Sequence, residues 1–354
     1  MAHKLFFIGA FDFPRVPQAG DAVKNRHLLT FFRERLGDVQ YVDTQRWKRN
    51  PLILVRVLGC LLFRRYDNIV ISTSNVSAYR LVRLTTSLHL RSRIYYFMIG
   101  GYTPVKIREG IYSAAPFHKL ERIVVEADKV CELYHEVGID NTLRLYNFKP
   151  VLYQADPLAP HAVGGVVRFV FLSRLTRLKG IFHILEAVRT LNAEGLGTRF
   201  EVDFYGRTDE DVRQPFMAEV EALPNARYCG FLKLDDAAGY ERLASYDAML
   251  FPTMHVTEGF PGVIADAAIC ALPVIASRWS YADEIVGDGR CGILFPVGSV
   301  DALTDAMRRV IYDPSQLVPM RQAALNCVPL YDVRQVLNDE LLSSLNMKAS
   351  AGAQ

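Results

Sequence analysis

Two acids and two cations in the second half of the chain have the types and spacing to hold a charged sugar. Glu258 stands just before the Gly/Pro-rich turn of "TEGFPG", and Asp266 lies inside the apolar segment that follows, "VIADAAICALPVIAS". Upstream, "FVFLSRLTRLKGIFHILEAV" carries Arg174 and Lys179 between an apolar run and a helical pattern. A diphosphate there would be gripped by arginine through its planar fork and by lysine as a point charge. Gly259 and Gly262 bare the backbone, so N–H groups can face an anion seated on a helix dipole, and Pro261 suits a first helical turn. The acids are eight positions apart, roughly 12 Å if the whole span were helical, which suits two sugars joined by a diphosphate. Singly, each residue has a plain explanation: a solvated basic loop, an exposed loop acid, a first-turn acid favoured by the dipole. Together they point to a nucleotide-sugar with one carboxylate near each end.

The elements that must position these residues follow from the apolar pattern. Short β-rich runs alternate with helical stretches, which predicts βαβ units and parallel sheets. In the first half the strand candidates are 4–11, 39–44, 68–74, 93–100, 122–128 and 143–148, with a helix over 21–37. The stretch 157–165, "PLAPHAVGG", reads as a linker. The rhythm then restarts, with strands at 167–174, 200–206, 247–253, 272–277 and 292–296. Helices are expected near 181–194, 235–245, 262–271 and 300–312. A last helix near 332–346 is expected to pack back on the first domain. The predicted division is therefore 1–160, 161–330 and 331–354. The fold class is α/β, with two doubly wound domains facing a cleft at the carboxyl ends of their strands, where such sheets bind ligands.

Bulk properties narrow the field. The chain has 354 residues, 50% hydrophobic and 22% charged, ordinary for a two-domain globular protein. No apolar run approaches the ~18–20 residues that span a bilayer, and the N-terminal "KLFFIGAF" reads as a buried strand. Six scattered cysteines form no CxxC pair, as expected of buried thiols in a reducing cytoplasm, with no structural metal. Charge is uneven. Residues 1–150 hold 23 Lys/Arg and 13 Asp/Glu, a balance of +10, and the rest holds 18 and 25, a balance of −7. Such asymmetry points to an anionic partner for the first half: nucleic acid, a membrane surface or a phosphorylated ligand. No nucleic-acid recognition motif accompanies it.

Two first-half stretches keep two readings each. After the first strand, "GAFDFPRVPQAGDAVKNRHLL" lacks GxGxxG but places Gly20 and Asp21 before a helix. Gly20 can admit a phosphate or a substrate to the backbone, or it is a turn glycine beside an Asp N-cap. Residues 46–65, "RWKRNPLILVRVLGCLLFRR", set an apolar segment between basic clusters. That segment suits an anionic cytoplasmic membrane surface. Burial as a core helix with basic ends is the reading its all-round apolarity favours.

At this point the motifs carry a family resemblance. The opening "SRL" with "KG", "FYG" (204–206), "CGF" (229–231), "YDAMLFPT", the E-x7-E region and "PVIAS" through "GILFP" run in order across 167–312. They resemble the retaining glycosyltransferases of the GT-B fold, family 4 (glycosyltransferase group 1). The first half, through "AGD", "IYYFMIGG" and "RLYNFKP", is more loosely similar to bacterial exopolysaccharide and capsule members. The resemblance implies two facing Rossmann-like domains, the first binding the acceptor and the second the donor. It implies sugar transfer from a nucleoside diphosphate, UDP-hexose by family frequency, to a glycan or lipid-diphosphate-linked hydroxyl, with no cofactor or metal. Arg174 and Lys179 would bind the diphosphate, and Glu258 the donor sugar, with the backbone of Gly259, Phe260 and Gly262. Asp266 would bind the ribose, Phe231 would lie near the base, Gly206 would line the donor site, and Gly20 would sit near the donor phosphates or the acceptor.

Two departures stand out. The second motif acid is Asp266 where relatives usually have Glu, and Gly100 and Gly101 occupy a region where many relatives carry a His. His255, three residues before Glu258, is left out of the catalytic set. Two rivals remain: an epimerase of the same fold, which would turn over donor without an acceptor, and a non-catalytic nucleotide-sugar binder.

Overall fold

Twelve short runs rich in Val, Ile, Phe and Tyr build two parallel sheets in the computed structural model, which describes residues 3–14, 20–47, 49–88, 90–157, 165–255 and 258–348. Strands covered by helices on both faces are buried on both sides, so central runs such as "LFFIG" and "AMLF" are continuously apolar rather than alternating. Two compact units result, one of residues 1–148 with 333–354 and one of 149–332. The division falls between Phe148 and Lys149, earlier than the expected 160. Lys149 donates its N–H to Tyr331 O at 2.8 Å and bridges to Asp332, which ties the chain into the second unit from there on. Most of the expected linker, 158–164, lies outside the described residues.

In the first unit β1 (His3–Gly9), β2 (Val39–Asp43), β3 (Tyr66–Ser72), β4 (Arg93–Phe97), β5 (Arg122–Val125) and β6 (Thr142–Arg144) pair in the order β2-β1-β3-β4-β5-β6. Between them run α1 (Gly20–Leu36), α2 (Leu52–Phe63), α3 (Asn75–Ser87), α4 (Thr103–Arg108) and α5 (Asp128–His135). Leu28 and Phe32 of α1 pack with Phe7, Tyr95 and Phe97 of the sheet. The reading of α2 as a core helix fails: only Val57 and Leu61 of its twelve residues are buried.

The second unit repeats the plan with β7 (Val167–Leu172), β8 (Phe200–Tyr205), β9 (Ala226–Tyr228), β10 (Ala248–Phe251), β11 (Val274–Ser277) and β12 (Gly292–Phe295), ordered β12-β11-β10-β7-β8-β9. Its helices are α6 (Ile181–Ala193), α7 (Glu210–Glu221), α8 (Ala237–Ala244), α9 (Gly262–Ile269), α10 (Ala282–Ile285), α11 (Val300–Tyr312) and α12 (Val318–Cys327). Ile184, Leu185 and Val188 of α6 and Met307 of α11 pack with Phe169, Phe171, Val202 and Phe204. Strand β9 was not expected; it is three residues long and holds Arg227, which ion-pairs with Asp203 at 2.8 Å.

The expected last helix over 332–346 is two short ones, α13 (Val333–Val336) and α14 (Asp339–Ser344). The break follows from Asn338, whose side chain accepts from Leu341 N–H at 2.9 Å and so starts a new helix. Leu337, Leu341, Leu342 and Leu345 are buried in the first unit's core. Tyr95 anchors the segment by donating its hydroxyl to Leu345 O at 2.8 Å.

Candidate functional site

In the second unit β7 lies between β8 and β10, so the strand order reverses there. Doubly wound sheets bind ligands at the carboxyl side of that reversal. Two loops leave the adjacent strand ends, one from β7 to α6 and one from β10 to α9. Gly180 lets them close. Its φ is +77°, and a Cβ there would lie 2.1 Å from Pro252 O. Only a residue without a side chain fits that approach. Met254 N–H then donates to Leu178 O at 2.8 Å. Thr176 Oγ1 accepts from Lys179 N–H at 3.3 Å and caps the 3-10 turn Arg177–Lys179. On the other loop Ser277 Oγ donates to Thr253 O at 2.5 Å.

These contacts bring two of the expected residues together. Lys179 Nζ lies 2.5 Å from Glu258 Oε2, with the two side chains 16% and 19% exposed. Thr253 Oγ1 reaches the same oxygen at 3.5 Å, and the ammonium sits 5.2 Å from the centre of the Phe251 ring. Immediately after, α9 begins at Gly262 with Pro261 as N-cap and no side-chain cap. Ile264 N–H donates to Pro261 O at 2.9 Å within that first turn, and the helix start follows directly on the loop that carries Glu258, where the positive end of a helix dipole favours anions. Gly259 and Gly262 are half-buried, while Phe260 and Pro261 are buried between them. The Phe260 ring packs edge-on against Tyr331 with centres 5.0 Å apart, so its contribution to a ligand is confined to the backbone.

Asp266 is placed differently from the ribose-facing position the resemblance implies. It is 1% exposed. Tyr240 OH donates to its Oδ1 at 2.9 Å, and Lys149 Nζ lies 2.9 Å from its Oδ2. Both oxygens are thus engaged inside the second unit. Burial and the adjacent Asp266 carboxylate push the Tyr240 phenol well above its usual range, so the hydroxyl stays a donor. The shorter aspartate side chain holds the carboxylate close to α9, where Tyr240 of α8 meets it.

The other expected residues separate into packing and surface positions. Arg174 has an exposed side chain and ion-pairs with Asp209 at 3.3 Å. Gly206 has φ +144°, and a Cβ there would fall 1.7 Å from Ser173 O, so this glycine lets the ends of β7 and β8 meet. Phe231 is 57% exposed, with the Arg207 guanidinium 5.8 Å from its ring centre. His255 is exposed. In the first unit Gly20 opens α1, and a Cβ added there would meet nothing within 4 Å.

Sequence reasoning assigned no role to Lys149, although it stands in "RLYNFKP", or to Tyr240, which lies in no motif. It also missed the first unit's buried polar group. Lys24 and Glu126 form an ion pair at 2.6 Å with side chains 4% and 8% exposed. Asn25 Nδ2 donates to Ala10 O at 2.9 Å and Ser72 O at 3.1 Å, joining the ends of β1 and β3. The signal was present: Lys24 and Asn25 interrupt the buried face of α1 made by Ala22, Leu28 and Leu29. Buried charges persist only when paired.

Known proteins resemble both the second half of this sequence and this architecture. Residues 167–313 match the family model described as glycosyl transferases group 1. The amylovoran biosynthesis glycosyltransferase AmsK of Erwinia amylovora is 26% identical over 162 residues, covering 45% of this chain and 39% of that protein. The chain therefore spans about two fifths of that relative's length. Among solved structures, Anabaena Alr3699/HepE in complex with UDP and glucose superposes with a TM-score of 0.70 at 16% identity, covering 97% of this chain and 99% of that one. Sucrose-phosphate synthase from Thermosynechococcus elongatus gives a TM-score of 0.71 at 14% identity, covering 98% and 97%. At these identities the structural likeness establishes the fold.

Proposed function

We propose, from the premise that this chain has the GT-B fold and that residues 167–313 form a group 1 glycosyl transferase domain, that it is a retaining glycosyltransferase. It moves a sugar from a nucleoside diphosphate, taken as a UDP-hexose, to a hydroxyl of a glycan or lipid-linked acceptor in bacterial surface polysaccharide synthesis. The UDP of the Alr3699/HepE complex and the part of AmsK in amylovoran biosynthesis support that choice of donor and pathway class. The observation that carries the reading is the Lys179–Glu258 pair, held at 2.5 Å beside the uncapped N-terminus of α9.

In this scheme Lys179 exchanges Glu258 for the donor diphosphate, with Arg174 and the α9 dipole sharing the charge. Glu258, released from the ammonium, accepts hydroxyls of the donor sugar. The bond from the anomeric carbon to the phosphate oxygen breaks as the acceptor oxygen bonds to the same face. The acceptor proton passes to the departing phosphate, which leaves as the nucleoside diphosphate. Catalysis then rests on positioning and on charge stabilisation at the leaving group. Asp266 has a structural part: it pairs with Lys149 and Tyr240 inside the second unit and leaves the ribose to other groups. The first unit takes the acceptor.

The test is transfer by purified protein from UDP-hexoses to a panel of glycan and lipid-linked acceptors, with NMR of the product's anomeric centre. Retained configuration, with turnover abolished in Glu258→Ala, is expected. Inverted product, or donor conversion that needs no acceptor, overturns the assignment.

A further inference from the structure

We propose that α2 is a lipid-docking element that seats the first unit on an anionic membrane surface. The helix is anomalous for a doubly wound unit, where such helices bury their apolar face. Val57 and Leu61 pack inward, but the opposite face is apolar too. Leu52, Val55, Leu62 and Phe63 are 70%, 64%, 52% and 86% exposed. At about 100° per residue these four fall on one stripe centred on Gly59. A Cβ at Gly59 would meet nothing within 4 Å, so the centre of the stripe opens on empty space. Exposed apolar area of this kind marks an interaction site.

The surrounding charge selects the occupant. Arg46, Arg49, Arg56, Arg64 and Arg65 are all exposed, and no acid occurs between Thr44 and Tyr66. The acids just outside that span are occupied: Asp43 accepts the N–H groups of Phe11 and Phe13 at 3.0 and 2.9 Å, and Asp67 faces Lys4 at 4.0 Å. An apolar stripe framed by guanidinium groups is complementary to acyl chains beneath anionic headgroups. Twelve residues make a helix about 18 Å long, too short to cross a bilayer, and no described helix is long and apolar enough to do so. The geometry therefore fits a helix lying in the interface. The proposal is independent of the donor site, which is in the other unit.

Co-sedimentation of the full chain with vesicles tests it without any activity readout. Vesicles of phosphatidylcholine with 30 mol % phosphatidylglycerol, an amount chosen as roughly bacterial in charge, should pellet the protein in low salt. Pure phosphatidylcholine should not, and about 0.5 M salt should release it. Arg64→Ser with Arg65→Ser should weaken partitioning about 25-fold, at roughly fivefold per cation. Leu62→Glu with Phe63→Glu, or Gly59→Glu alone, should weaken it at least about tenfold. A Cβ at Gly59 meets nothing within 4 Å and the other four side chains are exposed, so melting temperatures should stay close to the wild type, which separates lost docking from misfolding. Equal binding to both vesicle types, binding to neither, or full binding by the variants overturns the proposal. So does lipid-free self-association that Phe63→Glu abolishes, since the stripe would then join two copies of the chain.

Discussion

Gly180→Ala is the substitution through which the two loops of the donor site can be pried apart. Its Cβ would sit 2.1 Å from Pro252 O, and no real Cβ approaches an atom closer than 3.0 Å, so the loops must separate by about 0.9 Å. That movement stretches the 2.8 Å bond from Met254 N–H to Leu178 O past hydrogen-bonding range. It also draws Lys179 off Glu258. Alanine at φ +77° costs about 1–2 kcal/mol, and the lost bond about 1 kcal/mol more. The sum, about 2–3 kcal/mol, corresponds to a fall of about 4–12 °C in the melting temperature of a unit this size. A shift near 1 Å at a site that works by positioning costs on the order of 100-fold in kcat/KM. Gly20→Ala is the control. That position is open, so stability should stay within about 0.5 kcal/mol of wild type. Calorimetry on both variants and transfer kinetics on Gly180→Ala decide the matter. A Gly180→Ala protein that melts and turns over like wild type would refute the claim that this close approach builds the site.

Other perturbations separate the assigned roles. Lys179→Ala and Arg174→Ala should each lower kcat/KM by about tenfold or more, equivalent to about 1.4 kcal/mol per decade; near-normal kinetics in both would discredit the phosphate assignment. Glu258→Gln should leave affinity for UDP alone within about threefold while transfer falls by about 100-fold, because the carboxylate is assigned to the sugar. Equal loss for UDP and UDP-sugar would move Glu258 to the nucleotide. Asp266→Asn should lower the melting temperature by about 4–8 °C, from about 2 kcal/mol of lost pairing with Lys149 and Tyr240, and leave donor Kd nearly unchanged. A weakened Kd with unchanged melting would restore the ribose role.

Much of the fold was legible because strands buried on both faces leave an unambiguous apolar run. β7 and β8 stand nearly where "VRFVFLSR" and "FEVDFYG" place them, and α11 matches its predicted 300–312. What escaped was set by contacts distant in sequence. β9 is too short and too charged to register, and the break at Asn338 is a capping choice within an apparently continuous helical pattern. Lys179 and Glu258 were each readable as a site residue because each borders a glycine turn after a strand, but their pairing across 79 positions was not. Asp266 was readable as an unusual acid, but its partners were not: Lys149 and Tyr240 are 117 and 26 positions away. For α2, apolarity on all sides argued for burial, and only the packed structure showed which side stays exposed among the described residues.

Calorimetric titration of UDP, UDP-hexose and uridine into the wild type and Lys179→Ala tests the central assignment most directly. The account predicts that the wild type binds UDP and the UDP-sugar, that Lys179→Ala weakens both by about tenfold or more, and that the feebler binding of uridine, which has no phosphate, is the same in the two proteins. Equal UDP affinity in wild type and variant, or no binding of any nucleoside diphosphate, would contradict it.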